Sequence, residues 1–213
     1  MIKNIYGDYI WKSKLDNKFV EEYKNEFLSV SEKQLKTNII TGRWHDSKVT
    51  SSFFNHDFIS NFLTLDFNGM FSKKISDEMK KFFKELETFG DDTIEIDIPI
   101  KLTKIWYNEY NYTDYQETHC HTGRDSFYSF VYILKSTNIE LDSKIVFENP
   151  RSSLFLSLII SQNIKMDNYQ SNYRPMLNEG DLIIFPSHMR HYVTGHGNNK
   201  DNRISISGNI NIL

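Results

Sequence analysis

The hydrophobic pattern of the chain changes period near residue 93, and this change constrains the fold more than any other feature. Before it, apolar residues recur at helical spacing, most clearly over residues 76–87. After it, short segments alternate between apolar and polar residues, as over residues 93–98. Helices followed by many short strands predict a mainly β fold with flanking helices: an antiparallel β-sandwich or jelly roll with helices packed on one sheet.

The same pattern predicts the individual elements. We expect helices over residues 17–28 and 76–87, with Asp16 as the N-cap of the first and Gly90 ending the second. Residues 30–75 have no clear period, and residues 150–175 form a long insertion. The predicted strands cover residues 4–11, 93–98, 101–110, 127–134, 144–147, 181–185, 191–194 and 203–212.

A chain of 213 residues is long enough for one domain with a sizeable core. We therefore expect a single domain over residues 1–213, with a largely helical and mixed N-terminal support over 1–92 and the double-stranded β-helix core over 93–213. The sequence contains no internal repeat and no low-complexity tract that would suggest a second unit.

Charge and cysteine content exclude several classes of function. With 25 basic and 28 acidic residues and a net charge of -3, the chain has no broad electrostatic attraction for nucleic acid. A single cysteine, Cys120, excludes an intrachain disulfide and a cysteine-based zinc site, and we expect it to be a small buried hydrophobe. No signal peptide and no apolar run of about 18 residues is present, so we expect a cytoplasmic protein without a membrane span. The absence of alanine suggests AT-rich coding DNA, as in a phage or a streamlined marine microbe.

A histidine pair is the centre of the predicted site. In an extended strand, side chains at i and i+2 share a face, so His119 and His121 would project together and Cys120 would face away. Two imidazoles directed at one point can hold a metal ion but leave it open, and His191 is the candidate for a third ligand. On their own, the pair could equally be solvent-facing loop residues.

The last two predicted strands suggest an anion-binding group beside this metal ligand. A hairpin centred on Gly197 would make His191 and Arg203 cross-strand neighbours. Alternation would then place Arg203, Ser205 and Ser207 on one face of the last strand. A fixed guanidinium with a hydroxyl beside it is suited to hold a carboxylate.

These segments resemble the 2-oxoglutarate and iron(II)-dependent oxygenase families. The shared pattern is a His-x-Asp or His-x-His pair, a Ser-x-x-Tyr strand, G-D-L-x-x-F-P-S-x-x-x-H, and R-x-S-x-S-x-N. It corresponds here to His119–His121, Ser129–Tyr132, residues 180–191 and residues 203–209. The match covers the C-terminal half of the chain.

The resemblance implies an enzyme that binds Fe(II) and uses 2-oxoglutarate as co-substrate. His119 and His191 would be metal ligands, with His121 at the position usually held by Asp. Arg203, helped by Ser205, would bind the distal carboxylate of 2-oxoglutarate, and Tyr132 is a further candidate to contact it. The reaction would consume O2, release succinate and CO2, and hydroxylate an organic substrate, either a small molecule or a peptidyl group.

A third histidine departs from the usual set of two histidines and one carboxylate. Glu117 shares a strand face with the histidine pair, and Asp125 lies in the following loop. Either could supply the carboxylate instead, which would leave His121 outside the coordination sphere. Trp106 and Tyr110 are candidate pocket walls, and Arg124, Asp125 and Arg151 are candidates for substrate contact.

Two other functions compete with this interpretation. A cupin-like metalloprotein could use three histidines without 2-oxoglutarate, although Arg203 and Ser205 argue for a bound carboxylate. A non-catalytic β-sandwich binding module would use its histidines only structurally and would bind no iron. Release of succinate coupled to CO2 distinguishes the first alternative from the oxygenase, and metal analysis distinguishes the second.

Overall fold

The computed structural model describes residues 1–25, 46–53, 70–87, 99–150 and 172–213. The predicted strand over 93–98, the helix-ending Gly90, Arg151 and most of the insertion over 150–175 lie outside these residues. Two antiparallel sheets face each other, and two helical segments pack on the outer face of the larger sheet. This arrangement confirms the predicted jelly roll with helices on one sheet.

The larger sheet has seven strands in the order β1-β2-β9-β6-β11-β4-β3. Its two longest strands, β4 and β11, pair along their whole length. One face of this strand pair lines the cavity between the sheets and is called its floor. The strands are β1 Ile2–Ile5, β2 Asp8–Lys14, β3 Thr50–Ser51, β4 Ile100–Tyr110, β6 Tyr128–Lys135, β9 Asp181–Pro186 and β11 Arg203–Ile212.

The smaller sheet has four short strands in the order β5-β10-β7-β8. It covers the inner face of β6 and β9, where residues such as Ile133 and Phe185 pack against Ile145 and Phe147. The strands are β5 Gln116–His119, β7 Ile145–Glu148, β8 Asn172–Tyr173 and β10 His191–Val193.

The N-terminus forms a hairpin where the sequence predicted a single strand over residues 4–11. Tyr6 and Gly7 both have positive φ, 60° and 103°, as a tight two-residue turn between twisted strands requires. The hairpin adds β1 and β2 to the edge of the larger sheet, so this part of the N-terminal region is integral to the β core.

The first helix, α1, covers residues 17–25 of the described chain. Asp16 caps it as predicted, because its Oδ1 accepts a hydrogen bond of 2.9 Å from the backbone N–H of Phe19. That hydrogen bond, together with Lys74, lowers the pKa of the Asp16 carboxyl. Tyr23 of α1 is fully buried and stacks on Phe71 with ring centroids 4.8 Å apart.

The second helix, α2, covers Met70–Glu87 and begins six residues before the predicted start. Its apolar stripe, which includes Met79 and Phe82, is buried against the outer face of the larger sheet, as predicted. Glu78 is the exception on this buried face, and it accepts a 3.0 Å hydrogen bond from the indole nitrogen of Trp11.

The predicted hairpin between His191 and Arg203 is wrong. Strand β10 belongs to the smaller sheet and pairs with β5 and β7, whereas β11 belongs to the larger sheet and pairs with β4 and β6. The connection over residues 194–202 crosses between sheets, as jelly-roll connections do. His191 and Arg203 therefore approach each other across the space between the sheets.

Candidate metal centre

His191 and His119 are directly opposed on adjacent strands of the smaller sheet. The β10–β5 register pairs these two residues, and their imidazole centroids are 4.4 Å apart. His191 is 3% exposed and contacts the rings of Phe147 and Phe185. Strand pairing alone therefore brings the two imidazoles together at the inner face of the sheet.

His121 lies just beyond the end of β5 and depends on a loop contact for its position. Its backbone N–H donates to the carbonyl of Ser187 over 2.8 Å, and its ring stacks on Trp106 with centroids 5.3 Å apart. The Ser187 hydroxyl is itself within 2.6 Å of the Ser126 hydroxyl and 2.8 Å of the Ser129 hydroxyl. This serine cluster connects the loop that carries His121 to the larger sheet.

Backbone carbonyls fix the orientation of two of the rings. The Nδ1 of His119 is 2.7 Å from the carbonyl oxygen of Glu117, and the Nδ1 of His191 is 2.9 Å from that of Met189. Because a carbonyl only accepts, each Nδ1 must carry the proton and donate. The lone pair on each ring is then on Nε2, which is the arrangement that a metal-binding histidine needs.

The spacing of the three rings fits one metal ion. One ring nitrogen from each of His119, His121 and His191 lies within 4.8 Å of the others. The Nε2 atoms of His121 and His191 are 3.2 Å apart. Two nitrogens bound to one ion at about 2.1 Å, at angles of roughly 90–110°, would be separated by about 3.0–3.4 Å.

Burial keeps all three imidazoles neutral. Desolvation lowers the pKa of His121 to about 3, with further contributions from His119 and Lys104. Desolvation, and then the neighbouring imidazoles, hold the pKa of His191 well below its usual range. Desolvation also lowers the pKa of His119, although the Glu117 carbonyl opposes this. Neutral imidazole is the form that binds a metal, so the centre is ready to do so at neutral pH.

Neither carboxylate considered from the sequence joins this cluster. The Glu117 side chain accepts a hydrogen bond of 2.9 Å from the backbone of Asp46 and lines a groove on the outside of the smaller sheet. The carbonyl of Asp125 accepts from Thr103, and its side chain is not among the grouped ligand atoms. Within the ranges that the structure describes, no carboxylate oxygen belongs to the group of candidate ligands.

Arg203 faces the three histidines across a cavity between the sheets. Its side chain is 3% exposed, and its Nη1 has no hydrogen-bond partner within the described part of the chain. Burial lowers the pKa of the guanidinium, but Tyr110 and Asp142 oppose this, and an arginine stays charged at neutral pH. A buried cation with a free donor is a site for an anion that the protein itself does not supply.

The inner face of β11 is polar, as the sequence predicted. Arg203, Ser205 and Ser207 all line the cavity, whereas Ile204 and Ile206 pack in the core beneath the helices. The remaining cavity wall comes mainly from β4 and β5, with Trp106, Asn108, Tyr110 and Gln116.

Tyr132 is a correction to the sequence interpretation. It is fully buried on the helix side of β6, where its ring contacts Tyr23 and Phe71, and it does not line the cavity. Its cross-strand neighbour on β11 is Ile206, which faces the same way. Strand alternation therefore carries the Tyr132 hydroxyl away from Arg203.

Tyr110, and not Tyr132, is the tyrosine that lines the cavity beside Arg203. The guanidinium carbon of Arg203 lies 5.3 Å from the centroid of the Tyr110 ring. The Tyr110 hydroxyl donates a hydrogen bond of 3.0 Å to the side-chain carbonyl of Gln116. Tyr110 was expected as a pocket wall, whereas Asn108 was missed: it is 3% exposed in the cavity wall, and its Oδ1 has no partner in the described residues. Both residues are on β4 at even spacing with Trp106, a signal that the sequence does contain.

Cys120 is a second correction. It is exposed and not buried. The residue follows the last residue of β5, and its Sγ lies 3.6 Å from the hydroxyl oxygen of Thr122.

Comparison with known families agrees with this geometry. Residues 104–209 match the family described as "Putative 2OG-Fe(II) oxygenase". This segment begins on β4 and ends on β11, and it contains all three histidines and Arg203. No curated protein matches the sequence.

Solved structures share the fold at low sequence identity. The carbocyclase SnoK from nogalamycin biosynthesis superimposes with a TM-score of 0.58 at 9% identity, covering 95% of this chain and 79% of SnoK. The epimerase SnoN from the same biosynthesis gives 0.56 at 11% identity, covering 95% and 78%. A prolyl-4-hydroxylase from Pseudomonas putida gives 0.53 at 11% identity, covering 95% and 91%. The first two are described as non-haem, alpha ketoglutarate-dependent enzymes.

Proposed function

The chain belongs to the 2OG-Fe(II) oxygenase family, and from this premise we propose that its three histidines hold the iron and that Arg203 anchors 2-oxoglutarate. The protein is an Fe(II)- and 2-oxoglutarate-dependent oxygenase. The observation that carries the residue assignment is the single cavity in which three converging imidazoles face a buried guanidinium with an unpaired donor.

The metal ligands are His119, His121 and His191. Their backbone contacts orient Nε2 of His119 and His191 toward the cluster, which reduces the entropy lost when a metal binds. Ferrous iron and 2-oxoglutarate together supply the oxidising chemistry, in which O2 is consumed and 2-oxoglutarate is converted to succinate and CO2. Because all three protein ligands are neutral, the protein offsets none of the charge of the ion.

Arg203 binds the distal carboxylate of the co-substrate, with Ser205 beside it on the same strand face. A charge-assisted hydrogen bond from Nη1 would satisfy the donor that is otherwise buried without a partner. Tyr110 packs against the guanidinium and limits its movement. The contacts of Arg203 favour an oxygenase over a three-histidine metalloprotein that needs no carboxylic co-substrate.

The apolar surroundings of the centre exclude water from one side. Phe147 and Phe185 enclose His191, and Trp106 covers His121. Excluding water protects an oxidising site from side reactions and strengthens its electrostatic interactions. We propose that the reaction on the organic substrate is a hydroxylation, and that the enzyme works in the reducing cytoplasm, where its exposed Cys120 would stay a thiol.

The test is stoichiometric. Purified protein loaded with Fe(II) should convert 2-oxoglutarate to succinate and CO2 in equal amounts, and iron with N-oxalylglycine, an unreactive mimic of the co-substrate, should raise its melting temperature. Iron binding without any effect of either compound would favour the cupin-like alternative. Failure to bind iron at all would favour a non-catalytic binding module. None of the helices in the described part of the chain combines the length and the apolar composition of a membrane span.

A further inference from the structure

Lys104 lies two residues before Trp106 on β4, and alternation places it on the strand face from which Trp106, Asn108 and Tyr110 line the cavity. It does not line the cavity itself but lies next to Trp106, the lining residue of β4 that is farthest along the strand from Arg203. The row of cross-strand pairs is Tyr110 with Arg203, Asn108 with Ser205, Trp106 with Ser207 and Lys104 with Asn209. Six residues of strand separate the two ends, roughly 20 Å at about 3.4 Å per residue.

The Lys104 ammonium has an unusual environment for a lysine. The side chain is partly buried, and its Nζ lies 3.2 Å from the centroid of the Phe53 ring. No hydrogen-bond acceptor and no carboxylate contacts Nζ within the ranges that the structure covers. Burial lowers the pKa of the ammonium. The Phe53 ring lies 5.0 Å from Trp106, and Trp106 stacks on His121, so two aromatic rings connect Lys104 to this metal ligand. A cation–π contact only partly replaces the lost hydration of an ammonium.

The charge of the site points in the same direction, and this step rests on the proposed function. Among the residues that the structure describes, no aspartate or glutamate lines the cavity. A divalent ion on three neutral imidazoles, together with the Arg203 guanidinium, carries three positive charges, of which 2-oxoglutarate neutralises two. Lys104 raises the remaining charge to two. A usual carboxylate ligand would have lowered this value by one.

We propose that the substrate carries an anionic oxygen group, a carboxylate or a phosphate, that pairs with Lys104 at the mouth of the site. Arg203 holds the co-substrate at one end of this strand face, and Lys104 holds the substrate just beyond the other end. The Phe53 ring beneath the ammonium lies 5.0 Å from the Trp106 ring, which stacks on His121, so the anionic group of the substrate would be held beside the aromatic wall of the metal centre. Charge pairing in this half-buried position selects anionic molecules over their neutral amides.

The test uses acetate and inorganic phosphate as probes in NMR titrations at constant ionic strength. Lysine side chains are labelled with 13C, and the Lys104 signal is assigned by its loss in Lys104→Met. In the wild-type protein we expect a saturable shift of the Lys104 signal with one or both anions. Lys101 is the internal control, because it is exposed on the same strand and should show no saturation. The two probes distinguish a carboxylate site from a phosphate site.

Variants are followed through the indole N–H signal of Trp106. Lys104→Met should weaken anion binding by about tenfold or more, because a charge-assisted contact is lost. Lys104→Arg should retain binding, and Lys101→Met should behave as the wild type. An Lys104 signal that shifts no more than that of Lys101, or equal anion binding in Lys104→Met, overturns the proposal.

The same samples separate this proposal from the assignment of the iron site. Metal and N-oxalylglycine binding are measured before each titration. Normal binding of both, with no anion effect at Lys104, removes only the substrate proposal. Anion binding at Lys104 in a protein that binds neither metal nor N-oxalylglycine removes only the assignment of the iron site.

Discussion

His191 and His119 face each other across the β10–β5 ladder with their ring centroids 4.4 Å apart. This pairing makes the metal centre a product of sheet register. A shift of one residue would turn His119 to the outer face of the smaller sheet and separate the two ligands.

Replacing His191 by alanine should abolish metal binding. The variant loses one of three ligands, and we expect a loss of more than about 100-fold in affinity for Mn(II), above the effect of changing an outer contact. Isothermal titration calorimetry measures the affinity. His188→Ala is the matched control, because His188 is exposed and bonds Asp8 at the surface over 3.1 Å. Equal metal affinity in His191→Ala and wild type would refute the assignment of His191 as a metal ligand.

His121→Ala tests the identity of the third ligand. We expect at least about a tenfold loss in metal affinity, because no carboxylate of the described chain lies near enough to take its place. Glu117→Gln and Asp125→Asn should bind metal as the wild type does. If one of these two variants loses the metal while His121→Ala retains it, the carboxylate alternative is correct.

Arg203→Ala should leave metal binding unchanged but weaken the binding of the co-substrate. Loss of a charge-assisted hydrogen bond in a buried site costs about 1.5–3 kcal/mol, which corresponds to roughly a 10- to 150-fold rise in the Kd of N-oxalylglycine. Calorimetry on the metal-loaded protein measures this value. Tyr132→Phe is the control: its hydroxyl lies on the helix side of β6, so N-oxalylglycine affinity should not change. The assignment of the clamp fails if Arg203→Ala binds the mimic normally.

The metal-free protein should lose stability as the pH falls below about 6.5. Burial lowers the pKa values of all three histidines in the folded state, so the unfolded chain takes up protons first. Below about pH 6.5, each histidine lowers the free energy of unfolding by up to about 1.4 kcal/mol per pH unit. Above that pH the histidines make no pH-dependent contribution, because they are neutral in both states. Urea unfolding between pH 7.5 and pH 5 measures the slope, and His121→Gln should make it shallower. A slope that is unchanged in this variant would contradict the neutral, buried state.

Gly208→Ala should destabilise the floor of the site. A Cβ at this position would lie 2.5 Å from a ring carbon of Phe130 and 2.6 Å from the carbonyl oxygen of Lys104. Both neighbours are fixed in the sheet, so we expect a loss of about 1–3 kcal/mol, read from the urea midpoint. Gly195→Ala is the control, because nothing lies within 4 Å of its Cβ position. Similar midpoints for the two variants would show that β4 can move away from Gly208.

Local pattern predicted most of the strands for a simple reason. Alternation with period two is a property of the chain itself, so β4, β6 and β11 were found within one residue of their observed bounds. The same rule predicted that Arg203 and Ser205 share a face. It also placed His119 and His121 together, although the second residue lies past the end of its strand.

Local pattern did not predict which strands pair with each other. The chain order suggested that β10 and β11 form a hairpin, but they belong to opposite sheets. The predicted role of Tyr132 was wrong because a sequence motif does not state which face of a buried strand points to the site. Lys104 was not recognised as a site residue, and Tyr110 was expected only as a pocket wall and not as a contact of Arg203, since both roles depend on the pairing of β4 with β11.

The sequence by itself determined the residue types of the centre, the period of each strand and therefore which side chains could share a face. These depend on covalent geometry and on neighbours along the chain. Only the tertiary structure decided which faces meet, because the pairing of strands and the crossing of residues 194–202 between sheets are set by burial over the whole domain. That crossing brings His191 and Arg203 to opposite walls of one cavity.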